Sequence, residues 1–129
     1  MRRSRNKSLA KKKADKYFSL YIRTKESRNG VCRCITCGEW HAIDKIHLGH
    51  FMSRRYQSTR YDEKNCAPQC AYCNTFNQGE QFRFGQWINK TYGEGTAEKL
   101  EQKSKMICKR TQADFEAIAG EYARKLGEL

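Results

Sequence analysis

Four cysteines set the terms on which this chain can fold. Cys34-Ile-Thr-Cys37 and Cys70-Ala-Tyr-Cys73 are two Cys-x-x-Cys pairs standing 33 residues apart. Each such turn offers two thiolates to one ion, and two turns complete the tetrahedral sulfur shell of a structural zinc. A shell of four thiolates has no open position, so this zinc would staple the chain and would not activate water. A redox Cys-x-x-Cys accompanies a βαβ pattern, and none is present. Cys32 competes as a first ligand, because it lies two residues before Cys34. Cys66 and Cys108 read as small apolar side chains.

Outside the staple the chain is polar. Only 38% of its 129 residues are hydrophobic. That builds a small core, to which metal binding adds folding free energy. The length fits one domain of the usual ~100–200 residues. No run reaches the ~18–20 apolar residues of a membrane span, so no membrane partner is expected. The N-terminus is basic and lacks the apolar stretch of a secretory signal. Seven cysteines in such a chain suit a reducing compartment such as the cytoplasm.

Charge is concentrated at one end. The formal net charge is +12; residues 1–28 carry eleven Lys/Arg against two acids, and the remaining 101 residues carry fifteen against twelve. A basic arm on a nearly balanced body is the electrostatic pattern of a polyanion binder, with nucleic acid as the polyanion. Arg2, Arg3, Arg5, Lys11, Lys12 and Lys13 are the candidate phosphate contacts in the arm. The competing reading is a solvated tail.

Patterning gives an α+β chain in three parts: a basic arm and helix over 1–28, a zinc-bound core over 29–80, and a helical region over 81–129. Residues 1–13 read as flexible, or helical only on DNA, with a helix from about Ser8 to Lys25 ended by Asn29-Gly30. Tyr17, Phe18, Tyr21 and Ile22 form its apolar stripe. Residues 31–51 read as short strands around a knuckle at Cys37-Gly38, and 52–64 as a polar loop. Pro68 reads as the first turn of a helix carrying Cys70 and Cys73. Residues 81–92 are helical, Thr96 caps a helix ending near Lys109 and Arg110, and Thr111-Gln-Ala-Asp114 is a capping box. Phe115, Ile118, Ala119, Tyr122 and Leu126 then make one apolar face. That face is either a homodimer interface or folds back on the first helix. Trp87, Phe82, Phe84 and Phe115 read as core, whereas Trp40, Tyr56, Tyr61 and Tyr72 could stack on splayed bases.

Between the knuckles lies a second constellation. His50 ends the strand leaving the first knuckle, Asn65 follows fifteen residues on, and Asn74 directly follows Cys73. This order resembles the HNH endonuclease motif in its His-Asn-Asn variant. The stretch from Cys34 to Gly79 resembles more closely the NinG (Rap) recombination endonucleases of lambdoid phages. The matching residues are Cys34-x-x-Cys37-Gly38, Gly49-His50-Phe51-x-Ser53-Arg54, Arg60-Tyr61-Asp62-Glu63-x-Asn65, Gln69-Cys70-x-x-Cys73-Asn74 and Gly79. The layout is also similar to the phage endonuclease VII resolvases.

The resemblance implies an HNH-like ββα-metal core and metal-dependent hydrolysis of branched DNA, including Holliday junctions and D-loops, in the host cytoplasm. It implies His50 as general base, Asn74 as an oxygen ligand of catalytic Mg²⁺ or Mn²⁺, and Asn65 as the residue holding the histidine-bearing loop. Related resolvases carry Asp where His47 stands here. Imidazole can replace that ligand but favours softer ions, and Asp44 and Asp62 are candidate substitutes. Arg54, Arg55 and Arg60 could grip phosphate. Two other readings compete: a non-catalytic zinc-containing module that binds nucleic acid, and an adaptor that docks through its C-terminal helices.

Overall fold

The computed structural model describes residues 2–129. A 24-residue helix, α1 (Arg2–Lys25), opens the chain. Ala10, Ala14, Phe18 and Ile22 recur every fourth residue and are buried. They pack against α5 (Gln112–Gly127), whose buried Phe115, Ala119 and Tyr122 supply the opposing row. The apolar face of the last helix therefore folds back on the first, and these residues are not free to form a dimer interface. The helix also begins earlier than the sequence suggests, at Arg2 and not near Ser8. Arg and Lys are good helix formers, and a turn anchored by Ala10 and Ala14 can propagate toward the N-terminus without a new nucleus.

Asn29-Gly30 does not cap α1. Both residues have positive φ (53° and 80°) and form a tight hairpin turn between Arg28 and Val31, which exchange two backbone hydrogen bonds. This is the geometry that Asn-Gly favours. Two small antiparallel sheets follow. β1 (Val31–Arg33) pairs with β2 (Trp40–Ala42), with Cys32 opposite His41. β3 (His47–His50) pairs with β4 (Cys66–Gln69), with His47 opposite Gln69 and His50 opposite Cys66. The chain between them carries a four-residue helix, α2 (Gln57–Arg60), and a 3-10 turn over Glu63–Asn65.

β4 is buried along its whole length. Cys66 joins the cluster of Phe18, Ile22 and Tyr122, while Ala67 joins that of Phe84, Ile88 and Leu100. Successive residues of one strand, pointing to opposite faces, thus serve two cores. The second core is built by α3 (Gln81–Tyr92) and α4 (Thr96–Ser104). Phe84 and Ile88 face inward, four residues apart, which leaves Phe82 on the outer face at 78% exposure. Phe82 is accordingly not a core residue.

Three local expectations need correcting. Pro68 lies in β4, opposite Leu48, and not in a helix. Its carbonyl accepts from Ile35 N (3.1 Å), so its backbone polar side faces away from β3 and the missing N–H costs the ladder nothing. Cys73 rides on a single π-helical turn over Tyr72–Phe76, closed by Asn77 N on Tyr72 O, while Cys70 lies just before that turn and in no helix. Thr96 does not cap α4. Its hydroxyl donates to Gly93 O (2.7 Å), while Asn89 Oδ1 from α3 accepts from Ala97 N (2.9 Å). That helix ends at Ser104. The Thr111–Asp114 capping box is present, with both reciprocal bonds formed. No helix among the described residues is long and apolar enough to cross a membrane.

Candidate active site

The two cysteine turns meet. The sulfurs of Cys34, Cys37, Cys70 and Cys73 all lie within 4.8 Å of one another. With Zn–S bonds of ~2.3 Å a tetrahedral shell has sulfur separations of ~3.8 Å, and Cys37 Sγ and Cys70 Sγ are 3.8 Å apart. The four cysteines can hold a structural zinc. Gly38, at φ 82°, turns the first knuckle so that its N–H reaches Cys34 O (2.9 Å). Ile35 N on Pro68 O ties that knuckle to β4. Cys32 is excluded from the shell. Its buried thiol donates to Arg23 O on α1 at 2.9 Å. Burial raises the Cys73 thiol, while at Cys34 burial is outweighed by hydrogen bonds that lower it, and a cation among the four sulfurs would favour their thiolate forms.

Beside this staple a cleft of ≈ 640 Å³ is lined by His47, His50, Asn74, Arg54 and, from α1, Asp15. β3 supplies both histidines and the turn after Cys73 supplies Asn74. His47 Nδ1 and Asn74 Nδ2 are 3.2 Å apart. Gly49, between the histidines, has to be glycine. A Cβ there would sit 2.0 Å from Gln69 Oε1, and Gln69 is fully buried, donating to Gly79 O (2.8 Å) and Thr36 Oγ1 (3.2 Å).

His50 Nε2 lies 3.0 Å from the carbonyl oxygen of Arg60. A carbonyl only accepts, so Nε2 carries the proton and the neutral ring keeps its lone pair on Nδ1. Burial, with Arg54 and Arg60 adding to it, lowers the His50 pKa from its ordinary 6.5 to about 4. The ring is therefore neutral at physiological pH, the state a general base needs.

Asn65 is fully buried and holds the segment that follows His50. Its Oδ1 accepts from Met52 N (2.7 Å), and its Nδ2 donates to Met52 O (3.0 Å) and Thr59 O (3.1 Å). Its own backbone carbonyl accepts from Phe51 N (2.8 Å).

The basic candidates separate into two groups. Arg54 lines the cleft, Arg55 is exposed and lies over the Tyr56 ring, and Arg2, Arg3, Arg5, Lys12 and Lys13 are exposed along α1, with Lys11 half-buried. Arg60 differs. It is 7% exposed, and its guanidinium forks onto Asp15, Nε on Oδ1 at 3.0 Å and Nη2 on Oδ2 at 2.6 Å. Its Nη1 donates to Arg54 O (2.7 Å). Arg60 is thus a buried structural residue, three of its five N–H donors are taken, and it does not line the cleft. Tyr61 is likewise withdrawn from base stacking, since its hydroxyl donates to Asp15 Oδ1 (2.7 Å) and its ring packs edge-on to Phe18. Burial alone would raise the Asp15 carboxyl. The hydrogen bonds from Arg60 and Tyr61 override it and hold the group below the usual range.

The carboxylates offered as substitutes at the His47 position do not line the cleft. Asp62 is engaged by Lys103 Nζ (2.6 Å) and Lys64 N (3.0 Å), and Asp44 is exposed. The carboxylate that does line it, Asp15, was not singled out by sequence reasoning. Its one signal there is that it is the sole acid in residues 1–25.

The family model described as Bacteriophage Lambda NinG protein matches residues 1–129. The chain belongs to the phage lambda NinG family. Membership points to a phage protein related to recombination. Comparison with curated proteins and with solved structures finds no match.

Proposed function

We propose that this NinG-family chain is a metal-dependent endonuclease that hydrolyses phosphodiester bonds in branched DNA, such as Holliday junctions and D-loops, in the host cytoplasm. The observation that carries the reading is the state of His50. It is neutral, its Nε2 proton is committed to the Arg60 carbonyl, and it shares a cleft with the His47–Asn74 pair. β3, β4 and the turn over Tyr72–Phe76 then correspond to the strands and shortened helix of an HNH-like ββα-metal core.

In this reading His50 Nδ1 takes the proton of the attacking water. Asn65 keeps the chain after His50 in place. Arg54 meets the phosphate as a charged donor. The His47 imidazole and the Asn74 side-chain carbonyl are the donors available to a catalytic cation, since a flip of the Asn74 amide presents Oδ1 where Nδ2 now stands. A bound Mg²⁺ or Mn²⁺ would neutralise charge at the phosphate and the leaving oxygen. A donor set with imidazole and no free carboxylate suits Mn²⁺ better than Mg²⁺. Tyr72 and Phe76 flank Asn74 on its turn, 62% and 75% exposed, and offer rings to unpaired bases at a branch.

The test is cleavage of a four-way junction, a flap and a plain duplex by wild type and His50→Ala, each with Mg²⁺ and Mn²⁺. The nuclease reading expects junction binding to survive in His50→Ala while cutting falls by about 10²-fold or more. A wild type that binds junctions and cuts none of these DNAs would instead make the chain a non-catalytic zinc-containing binding module.

A further inference from the structure

We propose that Asp15 of α1 is a positioning residue that, acting through Arg60, fixes the tautomer and orientation of His50. The chain of contacts is short. Asp15 accepts both arms of the Arg60 fork, and the backbone carbonyl of that same Arg60 accepts from His50 Nε2.

Arg60 ends a helix of only four residues, which has no cooperative stability of its own. Something else must hold its carbonyl at the imidazole. Three guanidinium bonds do so, two to Asp15 and one to Arg54 O, and the Tyr61 hydroxyl steadies the same carboxylate. Bidentate Arg–carboxylate pairs fix geometry as well as contribute energy. Without the fork the Arg60 carbonyl is free to move. The buried imidazole then loses its acceptor for Nε2–H, and the proton can pass to Nδ1, which removes the lone pair that the reaction requires. Asp15 also places this control on the helix whose basic residues face the DNA. Grip on α1 and readiness of His50 therefore depend on one element.

The inference is tested by nitrogen NMR of histidine-labelled, zinc-loaded protein, without DNA or added cation, so that the readout does not depend on activity. Wild type should show His50 as a single Nε2–H tautomer. Asp15→Asn, which keeps the shape but removes the charge and replaces one acceptor oxygen with an NH2 donor, should show mixed or Nδ1–H signals. The kinetic arm rests on the nuclease reading. There kcat on a junction should fall roughly 10- to 100-fold with KM unchanged, the pattern of a misoriented group. Tyr61→Phe keeps the fork and should preserve the wild-type tautomer. An Asp15→Asn protein that retains the pure Nε2–H form, or a wild type with its proton on Nδ1, overturns the proposal. If Asp15→Asn does not fold, Arg60→Lys, which keeps the charge but has no fork, takes its place: mixed or Nδ1–H signals support the clamp, and a pure Nε2–H form overturns it. A tautomer that shifts as expected in a chain that cuts nothing, wild type included, upholds the clamp and removes the nuclease reading alone.

Discussion

Asn65 makes three side-chain hydrogen bonds to the loop after His50 and has no contact with solvent. Replacing it with Ala leaves Met52 N and Met52 O without partners, while Thr59 O keeps its bond from Asp62 N (3.2 Å), at a cost of about 2–4 kcal/mol. Chemical denaturation of Asn65→Ala should show that loss, with zinc content unchanged. His50 gives a pH prediction. Its folded pKa, about 4, lies below its ordinary 6.5, so the unfolded chain takes up the proton first as pH falls. The stability it confers is complete above pH ~6.5 and declines toward pH ~4, by roughly 3 kcal/mol across the range. Between pH 7 and 5 wild type should therefore lose more stability than His50→Gln, which shares its zinc site and so cancels the acid sensitivity of the thiolates. Urea midpoints at the two pH values decide it. Asn65 was picked out through its place in the family motif, and its partners Met52 and Thr59 lie near it in sequence. The fate of Arg60 was not legible, because its partner Asp15 is 45 residues away.

Among the elements, the zinc turns and α5 were legible for different reasons. A Cys-x-x-Cys spacing states its geometry outright, and the residues on either side, including Gly38, merely obey it. Thr111 and Asp114 announce a helix start through bonds made within four residues. β4 was misread because Pro68 before two cysteines looks like a helix start, and only the carbonyl bond to Ile35 reveals that its polar side faces away from β3. The competition of Cys32 as a first ligand was likewise open until Cys32 was found bonded to Arg23 O. Cys37→Ser should abolish or sharply weaken zinc binding, whereas Cys32→Ser should keep the full zinc content. Metal analysis after gel filtration separates the two. Hydrogen exchange on the chelated wild type should show residues 31–42 and 70–76 opening first, since their contacts run through the sulfurs, while β4 and the α1–α5 pair retain their own apolar contacts.

At the scale of the molecule, α1 joins three roles. It presents Arg2, Arg3, Arg5, Lys12 and Lys13 outward, buries Ala10, Ala14, Phe18 and Ile22 against α5, and sends Asp15 into the cleft. If about six of its charges meet phosphates, the slope of log Kobs against log salt should be about −5. Lys12→Ala with Lys13→Ala should flatten that slope by about 2, alike on junction and duplex. Fluorescence anisotropy across a salt series measures it, and an unchanged slope would remove the arm from the interface.

What the sequence alone determined is whatever depends on identity and short spacing: four sulfurs for one ion, a histidine and two asparagines in a recognisable order, a basic end, and a capped amphipathic helix. The tertiary structure decided which charged groups are withdrawn from solvent and which apolar face is already covered. Arg60 became a buried anchor, and the face from Phe115 to Tyr122 became part of a core, because each met a partner from the far end of the chain. A local pattern fixes what a residue can do, but burial depends on what arrives beside it. That is set by long-range packing, which no window of sequence contains.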